Sequence, residues 1–151
     1  MPFDANLVLA DNTLDWTYAN LVTATYGVPT STTRNDGGFA VIDLKALSTT
    51  PASGLAAIFL SDEAGADDTD ALTLTLEACD LEAFTSGVQT LANFEIAGAT
   101  HGVITGAECP CTVVRRFSTR LQFIRAHAVC VSGDNFHTCW VLLAPWPFHT
   151  L

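Results

Sequence analysis

The sequence predicts an all-β fold: an antiparallel two-sheet β-sandwich, with a jelly roll as the preferred topology, an extended N-terminal arm and a C-terminal tail. Three observations predict it. About eight short apolar or alternating runs follow one another from Asp36 to Leu143, each stopped by Gly, Asp, Ser or Pro. No stretch carries a convincing amphipathic helical period. The 151-residue length suits one domain, and the turn spacing marks no second one. The expected layout is an arm and first strand over 1–36, a sandwich over 37–144 and a tail over 145–151. An immunoglobulin-like sandwich is the main competitor, but the Cys…Trp…Cys framework that it often carries is absent.

In chain order, Asn6 to Leu9 reads as a short strand and Asp11-Asn12 as a turn. Leu21 to Asp36 is Thr-rich without a clean period, which predicts an arm lying along a surface. Phe39 to Leu44 reads as a strand, and Gly54 to Leu60 as a buried one. Asp62 to Asp70 is a polar connection. Leu72, Leu74 and Leu76 then alternate with Thr73, Thr75 and Glu77, the cleanest strand of the chain. Asp80 to Phe84 holds one helical turn at most. Gly87 to Ile96, Val103-Ile104 and Cys111 to Phe117 supply further strands. Arg120 to Val131 and Phe136 to Ala144 read as a final hairpin, joined at Ser132-Gly-Asp-Asn135. In the last run Phe136, Thr138, Trp140 and Leu142 share one face, and His137, Cys139, Val141 and Leu143 the other. Both faces are largely apolar, so this strand is expected to be covered twice, by the opposite sheet and by a neighbour or the arm.

Charged residues make up 15% of the chain while 49% is hydrophobic. The longest nearly uncharged apolar stretch, Pro51 to Leu60, is far short of the ~20 residues that a membrane-spanning helix needs. A surface this poor in charge suits a protein interface, the alternative being a solvated, Thr-rich β surface. The net charge of −10 argues against direct nucleic-acid binding, which needs a cationic face. Four of the six cations, Arg115, Arg116, Arg120 and Arg125, fall in one short stretch. They suit docking against an acidic surface, or pairing with local carboxylates. Met-Pro-Phe-Asp-Ala shows no secretory pattern, and the five cysteines are an odd count, so reduced thiols in a cytoplasmic fold are expected.

No catalytic, cofactor or metal site is expected. Cys109-Pro110-Cys111 leaves one residue between thiols where zinc knuckles favour two to four, so a proline turn is the better reading. Asp67, Asp68 and Asp70 lack the Gly and Glu of an EF-hand register and read as a solvated loop tip. No nucleophile elbow or phosphate-binding glycine loop occurs. His101, His127, His137 and His149 are scattered; His127 and His137 flank the expected hairpin and fit a structural pair better than a general base. Glu77 and Glu82 form no convincing acid/base pair. Trp140 has core periodicity. That leaves Trp16, Tyr18 and Tyr26 near the N-terminus, with Trp146 and Phe148 in the Pro-rich tail, as candidate contact residues beside Arg115, Arg116 and Arg120. Pro145 and Pro147 lack the donors to continue a central strand, so the tail reads as a docking peptide or a lid.

Several segments together resemble a known family, the small jelly-roll cement or decoration proteins on capsids of tailed bacteriophages. They are Met-Pro-Phe-Asp-Ala-Asn-Leu-Val-Leu at the start, Asp36-Gly-Gly-Phe-Ala-Val-Ile-Asp-Leu, Gly54-Leu-Ala-Ala-Ile-Phe-Leu, Leu72-Thr-Leu-Thr-Leu-Glu-Ala-Cys-Asp, and Arg115-Arg-Phe-Ser-Thr-Arg-Leu-Gln-Phe leading to Ser132-Gly-Asp. The cysteines and the Pro-Trp-Pro-Phe tail depart from that pattern. The resemblance implies a non-enzymatic structural virion protein, made in the host cytoplasm and placed on the outer capsid surface. There it would bridge major capsid protein subunits, with self-association as a dimer or other small oligomer. It implies no cofactor, no membrane and no direct nucleic-acid contact. The alternatives are a carbohydrate-binding or host-attachment sandwich and a small β-sandwich enzyme.

Overall fold

Alternation of Leu with Thr sets Leu72, Leu74 and Leu76 on one face of a nine-residue strand, all three buried, while the threonines face outwards. The computed structural model describes residues 7–11, 15–22, 39–44, 55–61, 71–97, 107–108 and 111–145. Its elements are β1 (Val8–Ala10), α1 (Tyr18–Val22), β2 (Val41–Asp43), β3 (Leu55–Ser61), β4 (Ala71–Cys79), β5 (Gln89–Ala97), β6 (Ala107–Glu108), β7 (Thr112–Phe117), β8 (Phe123–Cys130) and β9 (Cys139–Pro145). One sheet has the order β1-β9-β3-β7 and the other β2-β8-β4-β5-β6. The chain is therefore an all-β two-sheet sandwich. Every strand pair is antiparallel except β5 with β6, which the sequence did not anticipate. The pairs nest: β4 lies on β5, β3 on β7, β2 on β8 and β1 on β9.

The inner faces meet in one core, to which Leu9, Phe59, Leu74, Phe94, Ile124 and Val141 contribute from both sheets. One side is closed by backbone. Ala10 pairs with Val141 and with Phe39, and three residues after Phe39, Ile42 pairs with Ile124 of the other sheet. The run Phe39–Asp43 thus passes from the edge of one sheet to the edge of the other and links the two along that side.

One end is closed by Trp16. Its N–H donates to the His137 carbonyl at 2.8 Å and its carbonyl accepts from the Phe136 N–H at 3.0 Å. The ring lies 5.1 Å from that of Phe39 and 6.1 Å from that of Phe59, tilted on both. Thr17 then caps α1: its hydroxyl accepts from the Asn20 N–H and its carbonyl from the Leu21 N–H. Residues 21 and 22, expected in an extended arm, finish this single turn, with Leu21 against the core. The remainder of that arm lies outside the described residues, as do Val103-Ile104, the Asp67–Asp70 loop, Cys109-Pro110, His101 and His149.

The expected hairpin of the last two strands is not formed. β8 belongs to one sheet and β9 to the other. The link between them is a crossover held by its own side-chain acceptors, Asp134 and Asn135. Asp134, 9% exposed, accepts from the N–H groups of Val131 at 3.1 Å and Ala71 at 3.3 Å. Gly133 takes a φ of 107°, open to glycine, and His137 takes 50°, held by the Asn135 side chain accepting its N–H. This break in alternation sends Phe136 into the core, whereas Trp140 and Leu142 turn to the outer face. His127 consequently sits opposite Thr75, not opposite His137. Pro145, expected to open the tail, is the last residue of β9, paired with Leu55. Asp80 to Phe84 is a turn rather than a helix, closed by the Phe84 N–H on the Leu81 carbonyl. Cys79 fixes that turn through its sulfur, which accepts from the Leu81 N–H and donates to the Ser86 carbonyl.

Candidate functional site

Strand pairing places an apolar surface on the outer face of the four-stranded sheet. The register aligns Val8, Leu142, Ile58 and Val114 in one row across all four strands. Trp140, Leu60 and Thr112 form the next row on one side, and Ala144, Ala56 and Arg116 the next on the other. Alternation with the buried Val113, Phe59, Val141 and Leu143 puts all of these away from the core. Exposure runs from 0% at Ala56 and 5% at Leu142 to 38% at Val114 on the edge strand, so the middle of the face is already out of water and its edge is not. Arg116 is the one charged residue in the three rows. Of the double coverage expected for the last strand, the inner face meets the opposite sheet, and on the outer face Leu142 is buried while Trp140 and Ala144 are partly buried.

The four neighbouring arginines do not make one patch. Arg125 lies opposite Glu77 in the other sheet, and two of its N–H groups reach the same carboxylate oxygen at 2.8 Å. Its guanidinium also stacks 4.3 Å above the Phe84 ring, whose φ of 50° turns it beneath β8. The second Glu77 oxygen takes the Thr75 hydroxyl at 3.4 Å and lies 3.5 Å from His127 Nδ1. This carboxylate is occupied by structural partners. A double-mutant cycle of Glu77→Gln and Arg125→Gln is expected to give a coupling of about 1–2 kcal/mol in denaturant unfolding, because both side chains are largely buried. A coupling near zero would contradict that pairing.

Arg115 bridges the two sheets on the side away from β1. Its Nε donates to the Asn93 carbonyl of β5 at 3.1 Å, its Nη1 to the Val114 carbonyl at 3.3 Å, and the guanidinium stands 5.6 Å from the Phe94 ring centre. Arg115→Ala should lower stability by about 1 kcal/mol, read as a shift of the urea midpoint, through these lost contacts. An unchanged midpoint would remove the latch role. Arg116 sits on the outer apolar face, and Arg120 in the exposed loop between β7 and β8.

The aromatic candidates separate as well. Trp16 is 1% exposed and is a core residue, which corrects its reading as a contact residue. Trp140, read as core, is instead half-buried on the outer sheet face. Tyr18 is 40% exposed at the start of α1. Tyr26, Trp146 and Phe148 lie outside the described residues, with the rest of the tail. Among the described residues no three His, Cys, Asp or Glu side chains gather as a metal site requires, and no helix is long and apolar enough to cross a membrane. Cys79, Cys111, Cys130 and Cys139 carry no disulfide. Compared with known proteins, the chain matches no family model and no curated protein.

Proposed function

We propose that the protein is a structural virion component that binds the outer surface of a phage capsid and bridges major capsid protein subunits, acting by adhesion rather than catalysis. The observation that carries this reading is the outer face of the β1-β9-β3-β7 sheet: three rows of mostly apolar side chains with one charge, on a chain of net charge −10. The members of that face still open to water, Val114 at the edge and the partly buried Ile58, Leu60 and Trp140, gain from leaving it, and the surrounding negative charge restricts which partners approach. The nested strand order is the order obtained when one long antiparallel ribbon is wound into a jelly roll, an architecture used by capsid proteins. This supports the resemblance seen in the sequence. A footprint of ~800 Å² per partner is ordinary for a specific interface, and repetition over a shell multiplies its effect. Self-association on the shell is part of the same proposal.

The test is a charge placed at the edge of that face. Val114→Glu is expected to leave the melting temperature of the isolated protein within a few degrees, because the site is a partly exposed edge position. Its affinity for undecorated capsids should fall about ten-fold or more, since a carboxylate would be desolvated at the contact. Capsid binding at full strength by a folded Val114→Glu protein would exclude this face as the contact.

A further inference from the structure

Between β7 and β8 the chain makes a short exposed loop, and beside it the start of β5 contributes Gln89. Together Gln89, Ser118, Thr119, Arg120 and Leu121 line an open depression of about 450 Å³. The loop is tied at both ends. Phe117 is buried before it, and after it the Gln122 N–H reaches the Asp80 carboxylate at 3.2 Å while its side-chain amide reaches Asp43 at 3.1 Å. The Gln122 carbonyl accepts from the Leu44 N–H at 2.7 Å. Within the loop the Thr119 hydroxyl oxygen accepts the Leu121 N–H at 3.0 Å, which fixes the turn and leaves the hydroxyl proton to donate. Arg115 and Arg125 are both engaged by partners within the chain, but among the described residues no hydrogen bond or ion pair engages Arg120. The depression therefore holds an uncommitted guanidinium, two hydroxyl groups and a carboxamide, on a loop whose shape is already set.

We propose that this depression is an acidic-residue subsite, in which Arg120 receives a carboxylate side chain of the partner protein, with Ser118, Thr119 and Gln89 donating beside it. The donor set selects the class. A guanidinium matches both oxygens of a carboxylate through two parallel N–H bonds, and one cation balances one negative charge. A phosphate would bring up to two charges to a site with a single cation, on a strongly acidic protein. Leu121 supplies the apolar wall against which a methylene stem packs. The subsite rests on the docking reading for the identity of its partner, but its chemistry stands without it.

The probe is sodium glutarate, titrated into the full chain at constant ionic strength and followed by ¹⁵N–¹H NMR, with glutaramide and inorganic phosphate as parallel titrations. Saturable shifts are expected at the Arg120 Nε–H and the Ser118 and Thr119 amides with glutarate, and none with glutaramide. Arg120→Gln should weaken glutarate about ten-fold or more while the core resonances stay in place. Absence of saturable shifts, or equal affinity in Arg120→Gln, overturns the subsite. Tighter binding of phosphate than of glutarate overturns the carboxylate assignment. Arg120→Gln protein that loses glutarate yet binds capsids as well as the unaltered chain overturns the partner assignment. Glutarate binding by a chain that ignores capsids supports the subsite and brings down the docking reading instead.

Discussion

Trp16→Ala is expected to cost about 3–5 kcal/mol of folding stability, the range for truncating a fully buried large aromatic side chain. For one domain of this size that is a large share of the ~5–15 kcal/mol available. The reason is the number of parts that meet at this residue. Its ring packs on Phe39 from the closing segment and on Phe59 from β3, and its backbone pairs on both sides with the β8–β9 crossover. The indole N–H also donates to the Asp11 carbonyl at 3.4 Å, tying the end of β1 to the same plug. Truncation leaves a cavity where both sheets and the crossover converge. Trp16→Phe keeps most of the ring and should lose roughly half as much. The urea midpoints of the three proteins check this. If Trp16→Ala unfolded at the midpoint of the unaltered chain while failing to bind a partner, Trp16 would be a contact residue after all.

Asp134→Ala is the second large effect, expected at about 2–4 kcal/mol. The carboxylate accepts from two backbone N–H groups, those of Val131 and Ala71, in a place shielded from water. Its own N–H closes the turn on the Val131 carbonyl, and its carbonyl accepts from the Tyr18 N–H at 3.4 Å. Alanine keeps the backbone bonds but leaves both N–H groups without their acceptor, at about 1–3 kcal/mol for each unsatisfied group. Asp134→Asn retains one acceptor oxygen and should recover part of the loss. Hydrogen exchange gives the local readout: in Asp134→Ala the amides of Ala71 and Val131 should exchange far faster than those of β4 and β8 centres. Unchanged protection at both amides would contradict the capping role.

Strand content was legible because period-two patterns are local. Leu72 to Leu76 and Gly54 to Leu60 carry their burial on their own residues, and β4 and β3 follow them closely. What escaped was set by long-range pairing. Ser132-Gly-Asp-Asn135 is a turn in both readings, but nothing local says whether a turn joins neighbours in one sheet or crosses to the other. Two features decided it, the buried Asp134 accepting from Ala71 in β4 and the left-handed His137. The same kink parted Phe136 from Trp140, expected on one face, keeping Phe136 in the core and turning Trp140 outwards, so the two tryptophans exchanged roles. Trp16 reads as a polar-flanked aromatic in a segment without a period, and only its pairing with 134–137 makes it core. A signal for α1 was present in Thr17, a capping residue three before Asn20, but one turn is too short to show a period.

The candidate site divided along the same line. Low charge directed attention to an interface, yet the arginine cluster was a cluster in sequence alone. Successive residues of a strand point to opposite faces, so Arg115 and Arg116 were bound to part company. Arg115 reaches back to β5, and Arg116 joins the apolar rows. Arg125 is engaged by Glu77, which falls opposite it in the register. The outer face itself was written in the sequence as the second apolar face of the last strand. Its extent was not, because its rows draw on residues from Val8 to Ala144.

The most direct measurement is co-sedimentation of the full chain with undecorated phage capsids, scored as copies bound per shell across a salt series. Binding should saturate at a fixed number of copies per shell. It should weaken gradually with salt through Arg116 and Arg120, and persist in part at high salt through the apolar rows. A folded, monodisperse protein that stays in the supernatant at every salt concentration would contradict the account.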